Sequence, residues 1–284
     1  MKASVRVLSL KRSTERRRRF EAEAARVGLH FEYRDGIEAG ALEGDRAASL
    51  ADQDRAQRRY GRTLGLAEIA CAEGHRRIYR ELAASGDDAA VVVEDDVQFG
   101  DGFAQVLLAL QGAGRVVAER SQVFLLGRNL GYPDRPLWLR RSRAWRLTSG
   151  HQLLPVVRSD GALHGTFGYV ITRTAATSML AGERLISAPA DAWDLFREAG
   201  SLQAIWVLDP PVVLHPLVRT DSLISDERAR IAAEQKLAGG ASATALARAV
   251  RIATDPARLA RSVSHRLRWQ RFKRAAYDWL SRVS

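Results

Sequence analysis

Short apolar runs alternate with stretches of helical periodicity along most of the chain. Val5 to Leu10 (VRVLSL) predicts a strand. Ser13 is a suitable helix N-cap with Glu15 in the first turn. Phe20, Ala24 and Val27 then recur at helical spacing, and Gly28 supplies a stop. Leu29, Phe31 and Tyr33 alternate as in a second strand. Strand, helix and strand in that order seed a parallel sheet. Gly40 to Arg62 is polar and reads as loop with some helix. A helix is predicted from Leu66 to Ala84, with Cys71, Ile78 and Leu82 on one stripe. Glu68 and His75 fall on the same stripe, where ionisable groups are unusual.

Ala89 to Val93 predicts a buried strand, Phe103 to Leu110 a helix, and Gln122 to Leu126 another buried strand. Gly127 to Gly165 reads as irregular and Arg-rich. Thr166 to Thr172 predicts a strand, with Thr174 capping a short helix to Leu180. Ala190 to Ala199 predicts a helix after Pro189, and Leu202 to Leu208 a strand that Pro210 and Pro211 end. Arg219 to Gly240 is polar and Ala/Gly-rich. Beyond it, apolar positions such as Leu246, Val250, Leu259, Leu267 and Trp279 stand among cations, as in basic amphipathic helices. The expected organisation is an α/β domain over 1–218, a linker over 219–240 and a helical tail over 241–284.

Charge refines this picture. The formal net charge is +11, and residues 241–284 carry ten Arg and Lys against Asp255 and Asp278. Most of the excess therefore sits in the tail. Such a tail suits an anionic membrane surface; a plain dimerisation helix is the bland alternative. No nucleic-acid module is recognisable, so no nucleic-acid partner is expected. A single cysteine, Cys71, excludes an internal disulfide and a CxxC metal knuckle. No apolar stretch is long enough for a secretory signal or a membrane span, and a cytoplasmic protein, peripheral on the inner membrane face, is expected.

The candidate chemistry starts at VVVEDDVQF, residues 91–99, where a buried strand ends in Glu94, Asp95 and Asp96. Strand ends in α/β sheets face the ligand crevice. Adjacent carboxylates there suit a hard divalent cation shared with substrate phosphates. Positions 94 and 96 lie on the same side of an extended chain, so both can face one ion, with Asp95 pointing elsewhere. A solvated acidic turn is the competing reading.

The ordered set of segments resembles glycosyltransferase family 25. The family's I-N-L-x-R-S-x-x-R opening is matched by Val7 to Arg16, its G-E-I-G-C-A-x-S-H helix by Ala67 to His75, and its I-L-E-D-D-V strand by Val92 to Val97. Gly165 to Thr172 and Pro189-Ala190-Asp191 match later segments. Ser9 stands in place of the usual Asn, Ala70 of Gly, and Gly74 of Ser. The resemblance covers roughly residues 4–218. It implies a GT-A-like Rossmann-type sandwich with a mostly parallel sheet. It also implies inverting transfer of a hexose, galactose or glucose, from a UDP-sugar to a lipopolysaccharide or other surface-glycan acceptor, with Mn²⁺ or Mg²⁺. A non-catalytic glycan- or lipid-binding relative and a sugar-phosphate nucleotidyltransferase are the alternatives.

Under this resemblance Asp96 is the first metal ligand, assisted by Glu94, with His215 a further ligand or a surface-loop histidine. Ser9, Arg12, Glu38, Glu68, His75, Glu94 and Asp95 are assigned to the nucleotide sugar. Arg12 and Arg16 follow the first strand and could contact the diphosphate. The run Arg16 to Arg19 also reads as a solvated helix face, so Arg12, in the turn itself, is preferred. Asp191 is the candidate base, or a helix N-cap, with Asp209 a weaker rival. His164 and Thr166 flank the strand expected on the acceptor side.

Overall fold

The run before the acids is apolar on both faces because both faces are covered. Ala89, Val91 and Val93 enter one core and Ala90 and Val92 another, the alternation a strand imposes. The structure, a computed structural model, describes residues 1–127, 137–159 and 163–215, together with Ile224, Glu227, Arg230 and Ile231. Its elements begin with β1 (Ala3–Ser9), α1 (Thr14–Arg26), β2 (Glu32–Asp35), α2 (Asp45–Leu50), α3 (Gln53–Tyr60), α4 (Leu66–Ala84) and β3 (Ala89–Glu94). Next come β4 (Gln98–Phe99), α5 (Phe103–Gln111), α6 (Arg115–Ala118), β5 (Gln122–Leu125), β6 (Trp138–Leu139), β7 (Trp145–Arg146) and β8 (Gln152–Arg158). The last are β9 (Gly168–Thr172), α7 (Arg173–Gly182), α8 (Trp193–Glu198), β10 (Ala204–Asp209) and β11 (Val213–Leu214).

Among the described residues the main sheet has the order β2-β1-β3-β9-β5-β10-β8-β6, with β7 also beside β8. Pairing is parallel over β2-β1-β3 and β5-β10. It is antiparallel where β9 lies between β3 and β5, and where β8 joins β10. The α/β sandwich is as expected; the sheet combines parallel and antiparallel pairs, where the resemblance implies a mostly parallel one. The antiparallel entry of β9 sets its first residue, Gly168, opposite Val93 near the end of β3. One face packs on α1 and α5 through Phe20, Ala24, Phe103, Val106 and Leu110. The other packs on α4, α7 and α8 through Ile78, Leu82, Ala176, Met179 and Trp193. The polar stretch from Gly40 to Arg62 forms a 3₁₀ turn, α2 and α3, anchored by Leu42, Ala51 and Ala56 around Ile69 of α4.

Three boundaries move for identifiable reasons. The hydroxyl of Thr172, not Thr174, caps α7 by accepting the Ala175 amide at 3.2 Å. The helix predicted from Ala190 begins only at Trp193, with Ala192 as its N-cap. The stretch predicted to be irregular contains β8, a strand with Pro155 inside it.

After β10, a cis Asp209–Pro210 peptide leads the chain back across the sheet end. The amides of Val212 and Val213 both donate to the Leu126 carbonyl, and β11 pairs with β4. Glycines make room for this return. A Cβ on Gly168 would lie 2.6 Å from Val213 Cγ1, and one on Gly127 would lie 2.5 Å from the Val213 carbonyl oxygen.

The expected tail, 241–284, and most of the expected linker lie outside the described residues. Within the linker, Glu227 reaches back to α4: its carboxylate accepts the Leu66 amide at 2.9 Å and the Ala67 amide at 2.8 Å. These are orphan donors of a helix N-terminus, where an anion is favoured. Gly65 leaves the space, since a Cβ there would meet the Glu227 side chain. Glu227→Ala is expected to lower stability by about 1–2 kcal/mol, the range for losing a helix cap. Chemical denaturation checks this, and an unchanged midpoint would count against the cap. Among the described residues no helix is long and apolar enough to cross a membrane.

Candidate active site

β3 delivers Glu94 at its last position, level with Leu8 of β1, and the chain then turns through Asp95 and Asp96. Strand alternation stops at this turn, so it does not decide where the acids point. Glu94 accepts the Thr166 hydroxyl at 2.5 Å, and its amide donates to the Phe167 carbonyl at 3.1 Å. Asp95 turns inward, only 4% exposed, and accepts the Ser9 hydroxyl at 2.5 Å. Arg16 pairs with Asp95 and also lies 3.0 Å from Asp96. The acids that share a partner are therefore Asp95 and Asp96, rather than the alternating pair. Burial pushes the Asp95 carboxyl above its ordinary value, against the pull of Ser9 and Arg16. Burial pulls the Arg16 guanidinium down, but Asp96 and Asp95 outweigh it and the net shift is upward.

Arg16 corrects the reading of its run as one solvated face. Consecutive helix residues are about 100° apart, so four in a row encircle the axis. Arg17 donates to the Ser9 hydroxyl at 3.0 Å and to Asp35 at 2.6 Å, and lies over the Tyr33 ring. Arg18 and Arg19 are the solvated members, each 3.0 Å from Glu15. Arg12 and Glu38, both expected at the nucleotide, pair with one another at 2.8 Å on the exposed rim.

Two core-facing residues of α4 have different surroundings. Glu68 is held by Arg62 at 2.6 and 2.8 Å and by the Gly65 amide at 3.0 Å, the contacts of a first-turn cap. His75 lies deeper. Its Nδ1 is 2.8 Å from the Tyr169 hydroxyl, and its Nε2 faces Glu94 Oε1 at 3.8 Å. Tyr79 completes this buried group, its hydroxyl 2.8 Å from that of Tyr169.

Asp191 lies in the turn before α8 and is partly exposed. Its carboxylate accepts the Gly165 amide at 2.8 Å and stands 3.8 Å from His164 Nδ1. The Gly165 carbonyl in turn accepts the indole N–H of the buried Trp193 at 3.2 Å. Gly165 has φ +92°, a backbone conformation that favours glycine. Asp191 is thus positioned by a tertiary contact and not by capping. The rival Asp209, at the end of β10, is 3.9 Å from Arg141.

His215 follows β11 and sets Nε2 3.3 Å from Asp96 Oδ2. The two atoms suit adjacent ligands of one octahedral ion, which are about 3 Å apart when bonds are about 2.1 Å. Among the described residues no three His, Cys, Asp or Glu side chains form a metal-holding group. A divalent cation fits here only as one shared with substrate oxygens, the usual habit of Mg²⁺. Asp96 and His215 would hold it, with Glu94 engaged by Thr166.

Sequence reasoning set Arg16 behind Arg12 and left Tyr79 and Tyr169 without roles. For Arg16 a signal was available: it lies in the first turn of α1, just after β1 ends at Ser9. For Tyr79 a signal was available, since it follows His75 by four residues on α4; Tyr169 is distant in sequence from both.

Residues 3–129 match the family model for glycosyltransferase family 25 (LPS biosynthesis protein). The match runs from β1 through β5 and contains the acid triplet, His75 and Arg16. The segments carrying Thr166 and Asp191 lie beyond it. No curated protein matches the chain.

Proposed function

From a glycosyltransferase family 25 match over residues 3–129, we propose that this chain moves a hexose from a UDP-sugar to a lipopolysaccharide-type glycan acceptor, with inversion. The observation that carries the reading is a three-residue stretch, His164 to Thr166. Thr166 holds Glu94 at the end of β3, while the adjacent Gly165 holds Asp191. A carboxylate suited to deprotonate an acceptor is thus fixed beside the acids suited to the donor.

A divalent ion held by Asp96 and His215 would offset the charge that grows on the diphosphate as the glycosidic bond breaks. Arg16, next to Asp95 and Asp96, adds a fixed positive charge on the same side. Asp191 accepts the proton of the acceptor hydroxyl as its oxygen bonds to the anomeric carbon, and UDP leaves from the opposite face. Galactose or glucose is the proposed donor sugar.

The test is a panel of nucleotide sugars with the full chain, assayed for UDP release with Mn²⁺, with Mg²⁺ and with chelator. UDP release that needs metal and rises with a glycan acceptor supports the reading. Turnover only with a nucleoside triphosphate and a sugar phosphate would replace it with nucleotidyl transfer. Binding without turnover would leave a non-catalytic relative. The basic tail is proposed to keep the enzyme on the inner membrane face. The full chain is expected to sediment with anionic vesicles at low salt and to leave them when residues 241–284 are deleted; equal sedimentation would remove the membrane role.

A further inference from the structure

Tyr79, Tyr169 and His75 form a buried chain whose hydrogen-bond direction follows from counting donors. The three are 2%, 0% and 1% exposed. Tyr79 and Tyr169 hydroxyls are 2.8 Å apart, and Tyr169 is 2.8 Å from His75 Nδ1. Among the described residues the Tyr79 hydroxyl has only Tyr169 as a partner. Its proton therefore goes to the Tyr169 oxygen, because the reverse direction would bury a hydroxyl proton with no acceptor. Tyr169 must then donate to His75 Nδ1. A neutral imidazole that accepts at Nδ1 carries its proton on Nε2. Both phenols remain neutral, since burial raises each well above its ordinary value.

That Nε2–H has no hydrogen-bond partner among the described residues. It faces Glu94 Oε1 at 3.8 Å, too far for a direct bond. Glu94 is itself fixed by Thr166 at 2.5 Å. A donor and an acceptor, both held rigidly and just out of mutual reach, match what one hydroxyl needs. That hydroxyl accepts from the imidazole and donates to the carboxylate.

We infer that Tyr79 and Tyr169 are positioning residues that hold His75 as its Nε2–H tautomer, so that His75 and Glu94 together take one hydroxyl of the sugar nucleotide. The identity of the ligand rests on the proposed glycosyl transfer; the tautomer does not. Tyr169 sets the tautomer directly, whereas Tyr79 only supports Tyr169. The two tyrosines therefore differ in their predicted effects.

The test combines ¹H–¹⁵N NMR of the His75 ring with calorimetric titration of UDP and of a UDP-hexose, on the full chain. Wild type is expected to show the Nε2–H tautomer. Tyr79→Phe should keep it, since Tyr169 still donates to Nδ1. Tyr169→Phe should lose it and weaken sugar-nucleotide binding about tenfold, the usual scale for one hydrogen bond. Weakening of UDP as well as UDP-hexose assigns the ribose hydroxyl; weakening of UDP-hexose alone assigns a hexose hydroxyl. An Nδ1–H tautomer in wild type, or equal shifts in both variants, overturns the relay. Unchanged affinity in Tyr169→Phe overturns the hydroxyl subsite. If wild type binds no sugar nucleotide, the functional reading fails, and the NMR result still decides the relay.

Discussion

Asp96→Ala is expected to lower UDP-sugar turnover by about 10²–10³-fold, the scale of removing one preorganised electrostatic contact to a developing charge. The same substitution should raise the Mn²⁺ concentration needed for half-maximal rate. Asp96 is where Arg16 and His215 meet, at 3.0 and 3.3 Å, so its loss leaves both without their shared oxygen. Glu94→Gln should behave differently. Glu94 is bonded to Thr166 and faces His75, so its effect belongs in donor affinity and not in metal dependence. Steady-state rates across a Mn²⁺ series, with folding checked by circular dichroism, separate the two. A wild-type metal profile in Asp96→Ala would end the assignment of Asp96 as the ligand.

Asp191→Asn is expected to cost about 10²–10⁴ in kcat for transfer, the contribution of a positioned general base. KM for the UDP-sugar should stay close to wild type, because the proposal gives Asp191 the acceptor hydroxyl and not the donor. Asn keeps an oxygen for the Gly165 amide, so the turn should survive. Asp209→Asn serves as the comparison and should leave kcat unchanged. The opposite result, with Asp209→Asn inactive and Asp191→Asn normal, would move the base to the end of β10.

Elements with strong, long periodicity were legible from sequence alone. The helix predicted from Leu66 to Ala84 is α4 to the residue, and the apolar run before the acids is β3. β8 was not legible, because Pro155 interrupts it and proline argues against an interior strand. The structure shows why it is tolerated. The Pro155 carbonyl accepts the Arg140 amide at 3.1 Å, on the side where only the two-residue strands β6 and β7 follow. In an extended chain a residue's N and O point the same way, so the missing donor also faces that thin edge. In the site, the acid triplet, Ser9 and His75 could be found from motif spacing, and Ser9 and Asp95 meet as neighbours of adjacent strands. What spacing could not give is the bridge from Thr166 to Glu94 and from Gly165 to Asp191. That bridge depends on β9 running antiparallel between β3 and β5, a choice set by the whole sheet.

The glycine seat beneath Val213 implies that some of the chain's most sensitive positions are chemically mute. Gly127 and Gly168 offer a ligand no side chain, yet a single methyl on either would push against the strand that ends one residue before His215. The imidazole's aim at Asp96 is therefore encoded partly in what is missing directly beneath Val213. Alanine replacements at those glycines would mimic damage to the histidine itself. A screen for inactive variants would recover them beside the acids, although neither touches the reacting atoms.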